Sequence, residues 1–321
     1  MDLKPAFSAP ARINPSCGWD IAFEASFIYW NTSEEGLDFA LYDDGETPVN
    51  NAGLIFQEFN FVPGFKLAAG SALGTDHWTG RIEYTRLHSS EDTKTFAPNT
   101  PNGILFPNNY ATQVSINVVP LPALISQAKT RWECKLDVLD LETARWFYSG
   151  QMLTMGPFLG ARGGWLDQNF DLSVMYDSET DFRRNMHKSK SWFIGPRAGL
   201  DMNWILGYGL RATGSIAGSL LYQRQKAEAK INPVGADEDV FGFFKNTYRH
   251  VRPNAELGLT LGWGTYLAQE AYHIDLAAGY EFHYWAKQNA MRTNIDAFYG
   301  EFSSPGDLMY HGLTVTAKFD F

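Results

Sequence analysis

The chain ends with the sequence GLTVTAKFDF at residues 312–321. In this stretch every odd-numbered residue, from Leu313 to Phe321, is apolar, and every even-numbered residue is polar or small. Because successive side chains of a β-strand point to opposite faces, this alternation predicts a strand with one apolar and one polar face. The chain stops on the apolar face, with an aromatic residue as its final side chain.

A two-faced closing strand with a terminal aromatic residue is typical of bacterial outer-membrane barrels. We therefore predict that Phe319 and Phe321 form the signal that the barrel assembly machinery reads. This interpretation places the chain in the bacterial outer membrane, surrounded by the lipid of that membrane. Residues 1–16 are expected to form an N-terminal periplasmic segment, and residues 17–321 are expected to form a single transmembrane barrel domain.

The composition of the 321 residues agrees with a membrane barrel and excludes other classes. No run of 18 apolar residues occurs, which excludes a helical membrane span. The net charge of −10 argues against nucleic acid as a partner. Residues 1–15 contain no apolar signal-peptide region, so we interpret the chain as the mature form of an exported protein. A cytosolic β protein is the alternative interpretation.

The same alternation recurs along the chain and predicts an all-β fold, an antiparallel up-and-down barrel of about ten strands. Short periplasmic turns are expected near residues 75, 150, 208 and 270, and long extracellular loops at 33–51, 89–130, 177–190, 226–246 and 288–306. Twelve strands are possible if residues 37–42 or 111–118 also join the sheet. The predicted strands are 19–27, 54–71, 78–85, 132–147, 153–170, 193–206, 210–223, 251–267, 272–285 and the closing strand.

One face of these strands is apolar with aromatic residues near the strand ends, as expected where rings sit at the lipid headgroups. The opposite face carries many ionisable groups, which the core of a soluble domain would not accept unpaired. These groups either pair across the lumen and fill it, or line a wet channel. The predicted pore-lining residues are Glu24, Lys66, Arg81, Glu83, Lys135, Asp137, Arg162, Arg197, Asp201, Arg211, Arg252, Glu256, Asp275, Glu281 and Lys318.

Several local motifs go beyond the general pattern of a barrel. They are Cys17-Gly18-Trp19, Tyr29-Trp30, residues 137–142 (DVLDLE), residues 157–162 (PFLGAR) and residues 195–200 (GPRAGL). In this order the chain resembles the Legionella-type pore-forming outer-membrane protein family, which includes porins of environmental chlamydiae similar to the major outer membrane protein. The resemblance extends from Cys17 to Phe321 without the long loops. It implies a porin, and it brings no catalytic residues with it.

The two cysteines are Cys17 and Cys134. On the predicted topology they lie at opposite ends of the apolar band, which is about 25 Å tall, so no internal disulfide is expected. The resemblance suggests crosslinks between chains, which makes Cys17 a candidate for an intermolecular disulfide in a homo-oligomer; a free thiol is the alternative. The seven histidines show no metal-binding spacing, and we expect neither a metal nor a cofactor.

The favoured function is an outer-membrane porin that passes small hydrophilic solutes or ions by passive diffusion through a narrow charged lumen. The difficulty is width, since eight strands leave an interior that side chains can fill and open porins use sixteen or more. The alternative is a non-conducting surface barrel with a structural or adhesive role carried by its extracellular loops. No enzyme is expected, because no catalytic motif occurs in the sequence.

Overall fold

The computed structural model describes residues 11, 20–45, 52–74, 77–97, 103–107, 110, 124–176, 182–231, 242–299 and 304–321. It contains fourteen strands and one helix, numbered in chain order. They are β1 Ile21–Glu34, β2 Asp38–Asp43, β3 Ala52–Phe56, β4 Phe61–Ala72, β5 Trp78–Phe96, β6 Ile104–Pro107, β7 Ile125–Arg145, β8 Phe147–Tyr148, β9 Leu153–Tyr176, β10 Phe182–Gly207, β11 Leu210–Ile231, β12 Gly242–Leu267, β13 Tyr272–Trp285, α1 Ala290–Tyr299 and β14 Leu308–Asp320.

Ten of these strands close into an antiparallel barrel in the order β1-β4-β5-β7-β9-β10-β11-β12-β13-β14, and the two-residue strand β8 adds to β9. The C-terminal stretch is the closing strand, because β14 pairs with β13 on one side and β1 on the other, with Phe319 opposite both Ile274 and Phe23. The ten-stranded barrel is therefore confirmed. Among the described residues, no helix is long and apolar enough to cross a membrane.

A twelve-stranded barrel is not formed through residues 37–42. That segment contributes β2, but β2 pairs with β3 and β6 in a separate three-stranded sheet, which we call the small sheet. The other candidate, residues 111–118, lies outside the described residues.

The outer face of the barrel carries the expected apolar band. Phe27, Trp165, Leu259 and Val315 are each more than 40% exposed, as side chains in contact with lipid must be. The short connections, at residues 73–77, 146–152, 208–209 and 268–271, all lie at one end of the barrel. Outer-membrane barrels keep short turns on the periplasmic side, so the opposite end is extracellular.

On the extracellular side the strands are longer than the alternation predicts. Residues 182–190, expected in a loop, begin β10, and most of 226–246 belongs to β11 and β12. A strand of 26 residues such as β10 spans about 85 Å, whereas the apolar band needs about 25 Å. Above the membrane the outer face contacts water, so its residues become polar and the two-faced pattern no longer marks the strand.

The polar outer face above the membrane also explains why the prediction for β7 was wrong. Lys135 and Asp137 were expected to face the lumen, but they lie on the outer face, where Asp137 accepts a hydrogen bond from Tyr84 at 2.5 Å. Trp132, on the opposite face of the strand, is fully buried inside the barrel. The alternation continues unbroken through Leu139; only the outer face changes, from apolar at the level of lipid to charged above it.

The extracellular half of the barrel is filled by an apolar core. Its members come from the barrel wall, from α1 and from the small sheet, and all are 4% exposed or less. They include Trp30, Phe39, Trp132, Phe170, Phe193, Trp285, Ile295 and Tyr310. Among the described residues, the cavity inside the barrel lies on the periplasmic side of this core.

Close approach of two strands generates a stability prediction. A Cβ atom placed on Gly195 in β10 would lie 1.9 Å from the backbone oxygen of Leu220 in β11, whereas a Cβ on Gly150 would meet nothing within 4 Å. We expect Gly195→Ala to lower the free energy of unfolding by about 1–3 kcal/mol, since the two strands must separate. Gly150→Ala is the control, and urea unfolding in lipid vesicles is the measurement. Equal stabilities would show that the strand pair accepts a methyl group without cost.

Candidate functional site in the barrel lumen

The periplasmic half of the lumen holds a cavity of about 590 Å³. Asp20, Trp146 and Tyr148 line it at the level of the short turns, and Trp30 and Tyr310 line it at the level of the apolar core. Side chains from all ten barrel strands contribute to its wall. The cavity is therefore the place where the inward-facing charges of the barrel meet.

The period-two alternation of the strands brings most of the predicted residues to this lumen. Apart from Lys135 and Asp137, the predicted set lies on the inner face. Those residues are Glu24, Lys66, Arg81, Glu83, Arg162, Arg197, Asp201, Arg211, Arg252, Glu256, Asp275, Glu281 and Lys318. All but Arg252 line the cavity.

The guanidinium of Arg162 is the most deeply buried cation in the lumen, with its side chain 5% exposed. From β9 it donates two hydrogen bonds to Asp140 on β7, at 2.6 and 2.7 Å. It also contacts Glu256 and donates to the amide oxygen of Asn254 at 2.8 Å, both on β12. One side chain therefore joins strands on different sides of the barrel, with a forked geometry that fits two oxygen acceptors.

Arg197 on β10 extends this network. It contacts Glu142 on β7 and donates to the second oxygen of Glu256 at 2.6 Å. Closer to the periplasm, Arg81 on β5 donates to Glu24 at 2.9 Å and to Glu83 at 2.5 Å. These pairs show that the inward charges neutralise one another across the lumen.

The opposite wall is paired in the same way. Lys66 on β4 lies 2.5 Å from Glu281 on β13, and its ammonium group stands 4.9 Å from the ring centre of Trp30. His283 lies 3.0 Å from the same carboxylate. Arg211 contacts Asp275 between β11 and β13. Lys318 lies 2.8 Å from Asp320 within the closing strand.

Sequence analysis missed Asp140 and Glu142, two of the carboxylates that hold the buried arginines. The signal was present in the DVLDLE motif, because Asp140 and Glu142 lie three and four two-residue periods after Cys134 and therefore on the same face of the strand. Assigning the charged residues Lys135 and Asp137 to the lumen shifted the frame by one residue. A one-residue shift moves every side chain of a strand to the other face.

Above the cavity, side chains from separate parts of the wall meet and close the lumen. The thiol of Cys134 on β7 lies 3.4 Å from the hydroxyl of Tyr310 on β14. The indole of Trp132 donates to the carboxyl group of Glu34 on β1 at 3.1 Å. The rings of Phe193 and Trp285 are 5.0 Å apart in an edge-to-face arrangement. We call this layer the ceiling and define it as Trp30, Trp132, Phe193, Trp285 and Tyr310.

The connection that carries α1 lies on the extracellular side of the ceiling. Gln288 accepts a hydrogen bond from Gln223 and its backbone oxygen accepts one from Gln225, both on β11. Arg252 donates to Gln225 at 2.9 Å, so this predicted lumen residue belongs to the extracellular layer. In α1, Arg292 donates to Asp38 at 2.8 Å and joins the helix to the small sheet.

The remaining candidates for site chemistry are clusters of metal-binding side chains and the two cysteines. Within the described ranges, no three or more His, Cys, Asp or Glu side chains lie close enough together to hold a metal ion. Cys134 is a free, buried thiol. Cys17 lies outside the described residues.

A family model described as the Legionella pneumophila major outer membrane protein precursor matches residues 14–321. The chain belongs to this family. Membership together with the closed barrel places the protein in the bacterial outer membrane. No curated protein matches the chain.

One solved structure has the fold of this family member, and two others resemble it less. The outer membrane protease OmpT from Escherichia coli is similar over 98% of this chain and 99% of its own, with 11% identity and a TM-score of 0.51. The Pseudomonas putida toluene transporter TodX matches 95% of this chain and 90% of its own, with 10% identity and a TM-score of 0.36. The monoaromatic hydrocarbon channel CymD matches with 8% identity, coverages of 95% and 89%, and a TM-score of 0.34. At such identities the OmpT similarity establishes the fold alone.

The buried arginine generates a second stability prediction. Arg162→Met should lower the free energy of unfolding by about 3–5 kcal/mol, because it leaves Asp140 and Glu256 without their shared cation. The control is Arg131→Gln, which removes an ion pair with Asp92 whose side chains are 57% and 60% exposed and should cost less than about 1 kcal/mol. Urea unfolding in vesicles measures both. A small cost for Arg162→Met would mean that water already solvates these carboxylates.

Proposed function

We propose that this protein is a closed, non-conducting outer-membrane barrel with a structural or adhesive role carried by its extracellular part, and without catalytic activity. The observation that supports this proposal is the ceiling. Trp30, Trp132, Phe193, Trp285 and Tyr310 are each 2% exposed or less, so the ceiling contains no room for water between their rings. Since these rings belong to the wall strands, movement of a loop would not by itself open a path.

The width of the barrel supports the same proposal. Ten strands lie close to the eight-stranded limit at which side chains fill the interior. The inward charges form short ion pairs across the lumen, and a hydrated ion would have to displace these contacts before it reached the ceiling.

The extracellular small sheet fits an adhesive role. Its outer face exposes Leu41, Leu54 and Phe56, which are 37%, 47% and 54% exposed. Its inner face packs on the core through Phe39, Ala40 and Leu105. Adjacent exposed apolar side chains on a part of the protein that stands outside the membrane are suited to contact with another macromolecule.

A porin for ions or small hydrophilic solutes is the second candidate, and the charged cavity favours it. The lumen between the short turns and the ceiling is roomy enough for several waters and is lined by charges of both signs. For this function the five ceiling rings would have to separate. The lumen-facing charges named above would then line the pore.

Two further proposals concern the ends of the chain. We propose that Phe319 and Phe321 act as the assembly signal; Phe321 stacks on Phe23 at 5.8 Å, so its ring also helps to close the barrel. We propose residues 1–16 as a periplasmic segment of the single-domain chain, supported by the hydrogen bond from the Ala11 backbone to the Trp146 oxygen beside a short turn. Crosslinking of a homo-oligomer through Cys17 stays a prediction.

Single-channel recording of the refolded protein in a planar bilayer tests the proposal. We expect a folded, heat-modifiable barrel that produces no current steps, because the ceiling blocks the lumen. Discrete steps would favour the porin instead, and the reversal potential in a salt gradient would show whether acidic or basic groups dominate the passage.

A variant with a thinner ceiling provides the positive comparison. Trp30→Ala, Trp132→Ala and Tyr310→Ala together remove three of the five rings, and we expect current steps to become detectable while the barrel stays folded. Trp165→Ala is the matched control, since this ring is 63% exposed on the outer face and contributes nothing to closure. If the control conducts as the ceiling variant does, leakage around the protein explains the current.

A further inference from the structure

Five cations lie on the outer face of three neighbouring strands in their extracellular part. They are Lys188 and Lys190 on β10, Arg224 and Lys226 on β11, and Arg249 on β12, and we call them the basic patch. The whole chain carries a net charge of −10, so the positive charge of this patch is opposite in sign to that of the protein as a whole.

The strand register places like charges directly opposite one another in the patch. Lys190 is the partner of Lys226, and Arg224 is the partner of Arg249. Cross-strand neighbours on one face are only about 5 Å apart at their Cβ atoms, and like charges in that position are destabilising. These like-charge pairs lower the stability of the barrel alone. An anion from outside the chain that binds the patch would remove this repulsion.

In the strand register Glu228 is opposite Lys188 and Asp167 is opposite Lys190, whereas Arg224, Lys226 and Arg249 have no carboxylate opposite them on these strands. Elsewhere on the outer face cations are paired with carboxylates: Arg131 with Asp92 at 3.2 Å and Arg184 with Asp171 at 2.6 Å. Within the part of the chain that the structure describes, no carboxylate lies within ion-pair distance of the five patch residues. The nearby Glu228 is bound by Lys245 at 2.6 Å. The Nε of Arg224 is buried without a hydrogen-bond partner.

The height of the patch above the membrane indicates the source of the anion. The rings of Trp192 and Tyr222 are in contact on the outer face, 5.7 Å apart and tilted, and are 40% and 41% exposed, as expected for aromatic rings at the membrane surface. Lys190 lies two residues before Trp192 and Arg224 two residues after Tyr222, so each cation is about 7 Å farther along its strand toward the extracellular end. The patch therefore stands at the level of the lipid headgroups on the extracellular side.

We propose that the basic patch binds the phosphate groups of the phosphorylated glycolipid in the outer leaflet of the outer membrane. The two guanidinium groups offer forked donors that fit phosphate oxygens, and the three lysines add mobile positive charge around them. Binding would remove the repulsion between Lys190 and Lys226 and between Arg224 and Arg249. Binding would also be confined to this side of the barrel, because cations elsewhere on the outer face, such as Arg131 and Arg184, are already paired with carboxylates.

Native mass spectrometry of the full chain in detergent, titrated with lipid A that carries two phosphates, tests this proposal. The variant combines Lys190→Gln, Arg224→Gln, Lys226→Gln and Arg249→Gln. We expect its affinity for lipid A to fall about tenfold or more, because each cation near an anionic surface contributes to binding. The affinity of the unaltered protein should also fall as salt is raised.

The matched control removes four outer-face cations elsewhere, by Arg86→Gln, Lys94→Gln, Arg131→Gln and Lys135→Gln. It changes the net charge equally and should retain the affinity of the unaltered protein. Lipid A stripped of phosphate should bind weakly to all three proteins, and inorganic phosphate should not compete at millimolar concentration.

Equal loss in both variants, or undiminished binding of the stripped lipid, would overturn the proposal. Effective competition by inorganic phosphate would assign the patch to a free anion and overturn it as well. If the fourfold patch variant does not fold, the exposed pair Lys190→Gln and Lys226→Gln is compared with Arg131→Gln and Lys135→Gln, and the same outcomes decide.

Discussion

Every property of this barrel depends on the closure of β14 on β1. In lipid the backbone groups of a strand must find partners within the protein, so a sheet crosses the membrane only when no edge is left open. Closure with ten strands sets a narrow lumen. Side chains from different parts of the wall then meet, and the interior is built as a core in its extracellular half and as a set of ion pairs around a cavity in its periplasmic half.

The ion pairs and the ceiling fill different halves of the lumen. In the charged half of the lumen, Arg162, Arg197 and Lys66 each pair with an inward-facing carboxylate. The aromatic layer above them carries no charge of its own, and each of its five side chains is 2% exposed or less. Outer-membrane barrels that share this fold can therefore differ in function through what fills the lumen, while the wall stays the same.

Much of the wall could be predicted from the sequence, since lipid on one side and charge on the other give every membrane-crossing strand a strong period of two. The ten strands, the short turns and the inward position of residues such as Arg81 and Glu281 follow from that pattern. The extracellular extensions of β10, β11 and β12 could not be predicted, because both of their faces are polar or the inner face packs against α1. The same loss of contrast between the two faces is why Lys135 and Asp137 were predicted on the wrong face of β7. Pairing of particular charges across the lumen, such as Arg162 on β9 with Glu256 on β12, depends on which strands face each other in a closed barrel, and no local sequence pattern encodes that proximity.

The strands differ greatly in height around the ring. β9, β10, β11 and β12 have 22–26 residues, whereas β13, β14, β1 and β4 have 12–14. The rim of the barrel is therefore slanted, with a high side that rises far from the bilayer and a low side that ends near it. A molecule anchored in the same membrane can approach the extracellular part sideways, over the low rim. A molecule that arrives from the medium meets the tips of the tall strands first. Membrane-anchored and soluble partners would therefore contact different parts of the extracellular surface.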